Sequence, residues 1–231
     1  MKNFADKVNA FNKSLSYKGE LPAGIAIMNP FKEDKNIITT SATFYNKYYG
    51  DNNARHLILG INPGRFGAGL TGIPFTDPKR LIEKCDLLYK GELAHEPSSV
   101  FVYEVIDAYG GPEAFYKKFY INSICPLGFT SISKKNKTVN YNYYDSKALT
   151  KAVEDFIKQS IQKQLKFSIE TDLVFCFGMG KNEKFLRALN NEKKYFNEIV
   201  ALPHPRYIMQ YKSKLKQAYI EMYLTAFNRV K

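Results

Sequence analysis

The chain has no tryptophan, only three cysteines and only three histidines in 231 residues. Cys85, Cys125 and Cys176 are far apart and odd in number, which rules out a CxxC cluster and fits reduced, buried thiols. Three dispersed histidines and three dispersed cysteines offer no ligand spacing, so neither a metal nor a cofactor is expected. Long apolar runs are missing too: none approaches the roughly 20 residues that span a bilayer. No signal segment precedes Met1-Lys2-Asn3-Phe4-Ala5-Asp6. The expectation is a cytoplasmic protein with no membrane partner. Acidic residues are scarce, 22 against 34 Lys plus Arg, for a net charge of +12. That excess suggests a polyanionic partner, DNA or RNA ahead of an anionic membrane. A lysine-rich proteome gives the same balance, so charge alone does not decide.

What is present excludes disorder: 45% of residues are hydrophobic and 15% aromatic. The length fits a single domain, 1–231, able to bury a substantial core as a monomer. Along the chain, helical and strand patterns alternate. Helices are expected at 4–16, 44–49, 78–90, 99–109, 113–118, 146–167 and 210–228, with another opened by Gly178-Met179-Gly180-Lys181. Gly24 to Met28 is an apolar segment ended by Asn29-Pro30-Phe31. Buried strands are expected at 57–61, 119–125, 172–177 and 198–202. The polar stretch 130–144, with Lys134-Lys135-Asn136-Lys137, reads as a surface loop. Strands separated by helical crossovers imply an α/β fold, a three-layer α/β/α sandwich around a four-stranded, mostly parallel sheet.

The most informative run is Leu57-Ile58-Leu59-Gly60-Ile61-Asn62-Pro63-Gly64-Arg65-Phe66-Gly67, continuing to Thr71-Gly72-Ile73-Pro74-Phe75. A short apolar strand stops at Gly60, and Asn-Pro-Gly forces a turn. Such a strand end presents an amide and loop N–H groups at the mouth of a sheet, where α/β proteins place ligands. Taken alone, Asn-Pro-Gly is a common turn. The other strand ends carry Asn122 and Ser123, Gly178 and Gly180, and His204, the last held between Pro203 and Pro205. In a parallel sheet these carboxyl ends share one edge, so residues remote in sequence converge on one crevice. His56 and His95 lie in polar surroundings and read as surface residues.

The pattern GxNPGxFGxxxTGxPF resembles the first motif of the single-strand-selective monofunctional uracil-DNA glycosylases, with identical internal spacing. Met28-Asn29-Pro30-Phe31, Cys125-Pro126-Leu127 with Phe129, Gly178-x-Gly180 and Leu202-Pro203-His204-Pro205 resemble further elements of that family in the same order. The resemblance implies a three-layer α/β/α fold, DNA as partner and hydrolysis of the N-glycosidic bond of a damaged base. It implies that Asn62 positions the attacking water with the backbone of Ile61 and Pro63, and that His204 donates to the departing base. Phe75 would stack on the flipped base, Gly64 would leave room at its edge, and Gly180 with Lys181 would hold a DNA phosphate. No lysine in these motifs is placed for a Schiff base, so strand cleavage is not expected.

Two positions depart from the family pattern. The base-reading Asn is expected two residues before Cys-Pro-Leu, where this chain has Ser123; Asn122 comes one residue earlier. Adjacent strand residues face opposite ways, so only one of the two reaches the pocket. With a hydroxyl there, the pocket should admit xanthine as well as uracil. The closing motif continues Arg206-Tyr207-Ile208-Met209 in place of Pro-Asn-Pro, so Arg206 or an apolar neighbour is the candidate wedge. Two other classes stay open: a catalytically inactive nucleic-acid-binding module of the same fold, and a nucleotide-binding α/β enzyme using Gly178-Met179-Gly180-Lys181. That last segment is shorter than a P-loop and lacks the following Ser or Thr.

Overall fold

A computed structural model describes residues 2–230. Asn3 caps the opening helix α1 (Phe4–Ser14), and reciprocal bonds with Asp6 complete a capping box. Strand β1 (Ile25–Met28), the short α2 (Pro30–Glu33) and α3 (Lys35–Tyr49) lead to β2 (Arg55–Gly60). After the motif loop come α4 (Ala68–Thr71) and α5 (Pro78–Cys85). Asp86 then takes a left-handed conformation with φ 50°, so this helix ends at Cys85, short of the expected residue 90. Helices α6 (Pro97–Tyr109) and α7 (Pro112–Lys118) each start on a proline, whose fixed φ and missing N–H suit the first turn.

Strand β3 (Phe119–Ser123) follows, then β4 (Gly128–Ile132), β5 (Thr138–Tyr141), α8 (Lys147–Leu165), β6 (Ile169–Phe177), α9 (Lys181–Lys193) and β7 (Glu198–Leu202). The chain closes with α10 (Pro205–Tyr211) and α11 (Lys216–Phe227), joined through a 3₁₀ turn at Ser213–Leu215. The single closing helix expected over 210–228 is therefore two. Pro205 at the first helical position starts α10 directly after His204, and Lys212 breaks the helical path.

Strands β3, β2, β6 and β7 form a fully parallel sheet in that order, flanked by helices in a three-layer α/β/α arrangement. The faces are separated by residue parity along β3. Tyr120 packs against Phe4 of α1 and Tyr45 and Tyr49 of α3. Phe119 points the other way, against Tyr109 of α6 and Phe227 of α11, whose ring also meets Phe175. This aromatic core is dense enough that each wall of the sheet is fixed by ring edges as well as by buried area.

The stretch 130–144 corrects the sequence reading. It is no loop: β4 pairs antiparallel with both β1 and β5 in a second, three-stranded sheet. Asn136, at φ 54°, supplies the left-handed residue that turns β4 into β5. Strand β5 is exposed along Thr138, Val139 and Asn140, so it lacks the alternation that marks a half-buried strand. No helix among the described residues is long and apolar enough to cross a membrane.

Candidate active site

The register of the parallel sheet sets Gly60 opposite Ser123 and Phe177 opposite Leu202, so the strands end level with one another. A cavity of about 370 Å³ opens at this carboxyl edge, and Ile61, Asn62, Gly64, Phe75, Ser123, His204 and Arg206 all line it. The sequence thus brings seven of its candidates to one place. Pro63 lines the same wall.

Phe75 is held in a strained pose. Its backbone sits at φ 54°, a region costly for a side chain of this size. Thr71 maintains the turn by donating through Oγ1 to the carbonyl of Thr76 (2.6 Å) and accepting from the N–H of Ile73 (3.1 Å). The ring lies edge-on to Phe177 (centroids 5.4 Å apart) and tilted against His204 (5.7 Å). Gly60 makes that position possible: a Cβ on Gly60 would fall 2.7 Å from the Phe75 ring. The glycine that ends β2 is therefore required by the close approach of the aromatic wall.

The Asn62 carboxamide is locked by the segment leaving β5. Its Oδ1 accepts from the N–H of Tyr143 (3.1 Å), while Nδ2 donates to the carbonyls of Tyr141 (3.3 Å) and Pro63 (3.4 Å). These partners fix which end is oxygen, and one lone pair of Oδ1 is left for a water. Tyr143 is itself anchored, its hydroxyl donating to Asn182 of α9 (2.9 Å).

His204 ends the β7 connection and caps α10: its Nδ1 accepts from the N–H of Arg206 (3.1 Å). A ring nitrogen that accepts a backbone N–H is unprotonated, so the neutral imidazole carries its proton on Nε2. Burial, reinforced by the nearby Arg206 cation, pushes the imidazole pKa down to about 4. At neutral pH the cavity therefore holds an uncharged imidazole with a single donor to offer.

Parity along β3 sends Ser123 to the cavity and Asn122 to the opposite face. Asn122 donates to the Tyr120 hydroxyl (2.7 Å), and its Oδ1 accepts from the N–H of Ser123 (2.8 Å). Asn122 does not line the cavity, so its place among the base-contacting candidates is corrected: its amide is spent inside the core. Gly180 and Lys181 also lie outside the lining. Gly180, at φ 98°, caps α9 without a side chain, and the Lys181 ammonium sits 5.8 Å over the ring of Tyr144, which does line the cavity. Of the two, only Lys181 touches a residue of the cavity wall.

The remaining wall was not anticipated. Glu96, Asn140, Asn142 and Tyr207 also face the cavity. The asparagines come from the β5 strand and its exit, which lacked a strand signal. Glu96 is the residue before the proline that opens α6, a position that marks a helix boundary and nothing more. None of the lining residues is a lysine, and no group of three or more His, Cys, Asp or Glu able to hold a metal occurs among the described residues.

Comparison with known proteins agrees with this fold. The model of the uracil DNA glycosylase superfamily matches residues 47–228. The crystal structure of wild-type SMUG2 from Pedobacter heparinus superposes with a TM-score of 0.97 at 63% identity, over 99% of this chain and 98% of that one. The chain belongs to the uracil-DNA glycosylase superfamily and is a DNA glycosylase, a hydrolase acting on N-glycosyl bonds.

Proposed function

We propose that this enzyme removes uracil, and xanthine in addition, from DNA by a monofunctional mechanism that opens base excision repair. The base leaves the stack at a cost of a few kcal/mol, which favours single-stranded or mispaired sites. In the cavity it stacks on Phe75, and Ser123 meets its hydrogen-bonding edge. Asn62 has no proton-accepting carboxylate, so it orients a water at C1′ through its free Oδ1 lone pair. The N-glycosidic bond breaks with charge building on the base, and His204 Nε2–H stabilises that charge as a neutral donor. Water adds to the sugar, giving an abasic site with the strand intact, since no lysine lines the cavity to form a Schiff base.

The observation that carries this reading is the commitment of His204 Nδ1 to the α10 backbone. It fixes the tautomer before substrate arrives, so the donor needs no reorganisation during bond cleavage. Single-turnover excision on uracil and xanthine oligonucleotides, single- and double-stranded, tests it. Alkali-dependent strand scission at both bases is the expected result. Product from neither would refute the reading, and scission without alkali would refute the monofunctional part.

A further inference from the structure

Glu96 is a carboxyl group in a place where a DNA-binding surface has little use for one. Its backbone N–H is tied to Asp77 Oδ2 (2.7 Å), which sets the side chain across the motif loop. There the carboxyl packs on bare glycine backbone. A Cβ on Gly67 would collide with one carboxyl oxygen, and a Cβ on Gly64 would lie 3.1 Å from the other. Neither oxygen receives a hydrogen bond from the described residues, and the half-buried carboxyl is left open toward the cavity and its adjoining groove. The group lines the cavity together with Asn62, Phe75 and His204, and also the adjoining groove with Arg206. Gly64 stands two residues from Asn62, so the gap that its missing side chain leaves opens the wall close to where the sugar end of a base would lie.

A purine differs from uracil at that end. Its glycosidic nitrogen N9 belongs to an imidazole ring whose N7, two bonds away, is a hydrogen-bond acceptor; uracil offers only a C–H at the comparable position. Resting on the glycosylase reading above, we propose that Glu96 is the general acid for purine substrates, xanthine and hypoxanthine, donating its proton to N7 as the C1′–N9 bond breaks. The Glu96 O–H bond breaks and an N7–H bond forms. The C1′–N9 electron pair passes into the imidazole ring, and the base departs neutral. The water oxygen bonds to C1′ and gives its proton to solvent, and Glu96 regains one from solvent.

The surroundings favour the protonated carboxyl. Burial comes first, and the buried Asp77 carboxylate at the cap of α5 adds to it; Arg206 of α10 opposes both, and together they push Glu96 up to about 7. Asp77 is itself paired with Arg80 (3.0 Å), and His95 Nδ1 lies 3.9 Å from it. The motif loop brings glycine backbone and the uncharged Phe66 to this groove, and β5 brings the neutral Asn140. An acid with that affinity for its proton is suited to transfer near neutral pH.

The test is single-turnover excision of uracil, hypoxanthine and 7-deazahypoxanthine from single-stranded oligonucleotides by wild type and Glu96→Gln. A general acid is worth about 100- to 10,000-fold, so the substitution should lower the hypoxanthine-to-uracil rate ratio at least tenfold. The ratio is taken within one preparation, so any misfolded fraction cancels. Wild type should lose a similar factor on 7-deazahypoxanthine, which has a carbon at position 7, and Glu96→Gln should lose nothing further on it. Hypoxanthine excision should also fall with rising pH above about 7 in wild type and not in the variant. An unchanged ratio, or 7-deazahypoxanthine excised as fast as hypoxanthine, overturns the proposal. Uracil excision without any purine excision overturns it while leaving the uracil reading intact; excision of no base at all defeats that reading first.

Discussion

Replacing His204 separates the cap it makes with one ring nitrogen from the donor role proposed for the other. Nδ1 caps α10, and Nε2–H is the cavity's neutral donor. His204→Ala removes both: the cap costs roughly 1 kcal/mol of stability, and a lost transition-state donor costs about 100- to 1000-fold in rate, or 2.7–4 kcal/mol. His204→Asn keeps a good capping acceptor and removes the ring, so it should unfold within a few degrees of wild type yet excise uracil about 100-fold more slowly. The pH dependence follows from the depressed pKa of about 4. Between roughly pH 6.5 and 4 the unfolded chain binds a proton at this position that the folded chain refuses, so stability is full above the unfolded pKa and falls as pH drops through that window. Rates in the neutral range should show no His204-dependent inflection, because the imidazole is already uncharged there. Single-turnover rates across pH 5.5–8 with thermal melts of both variants supply the data. A His204→Asn enzyme within threefold of wild type, or an inflection near pH 6.5 that vanishes in this variant, would refute the reasoning.

Asn62→Ala should lower uracil excision at least tenfold in single-turnover assays while the protein still melts cooperatively; wild-type rates would remove Asn62 from the water site. Ser123→Asn should shift the xanthine-to-uracil ratio toward uracil by supplying a longer, two-ended amide at the base edge. Asn122→Ala should leave that ratio alone but destabilise the fold by about 1–3 kcal/mol, since it strands the Tyr120 hydroxyl and the Ser123 N–H in the core. The reverse pattern in these two variants would mean that Asn122 reaches the base. Affinity for an abasic-site oligonucleotide should fall steeply as salt rises from 50 to 200 mM, because the basic surface gains binding energy by releasing counterions. A flat profile would assign the +12 charge to proteome composition.

The legible part of this protein is the part written in apolar period and strand-end punctuation. Leu57 to Gly60, Phe119 to Ser123 and Leu173 to Phe177 are short buried runs, and their ends carry Asn62, Ser123 and the glycine turn. A parallel sheet then does the rest, because its carboxyl ends are compelled onto one edge. Parity alone also separates Ser123 from Asn122, a distinction that the structure expresses through the Tyr120 hydroxyl.

What stayed hidden is the wall built from backbone. Strand β5 shows three exposed residues in succession, so hydrophobic pattern had nothing to report, and the segment reads as loop. Yet its exit fixes the carboxamide of Asn62, using the carbonyl of Tyr141 and the N–H of Tyr143. Main-chain groups are the same at every residue, so no choice of side chain announces that they are aimed at an amide of the cavity wall. Glu96 escapes notice for a related reason: its carboxyl enters the cavity because two glycines of another segment leave it space. That space arises from the fold of the motif loop over the start of α6, and the immediate sequence neighbours of Glu96 carry no trace of it.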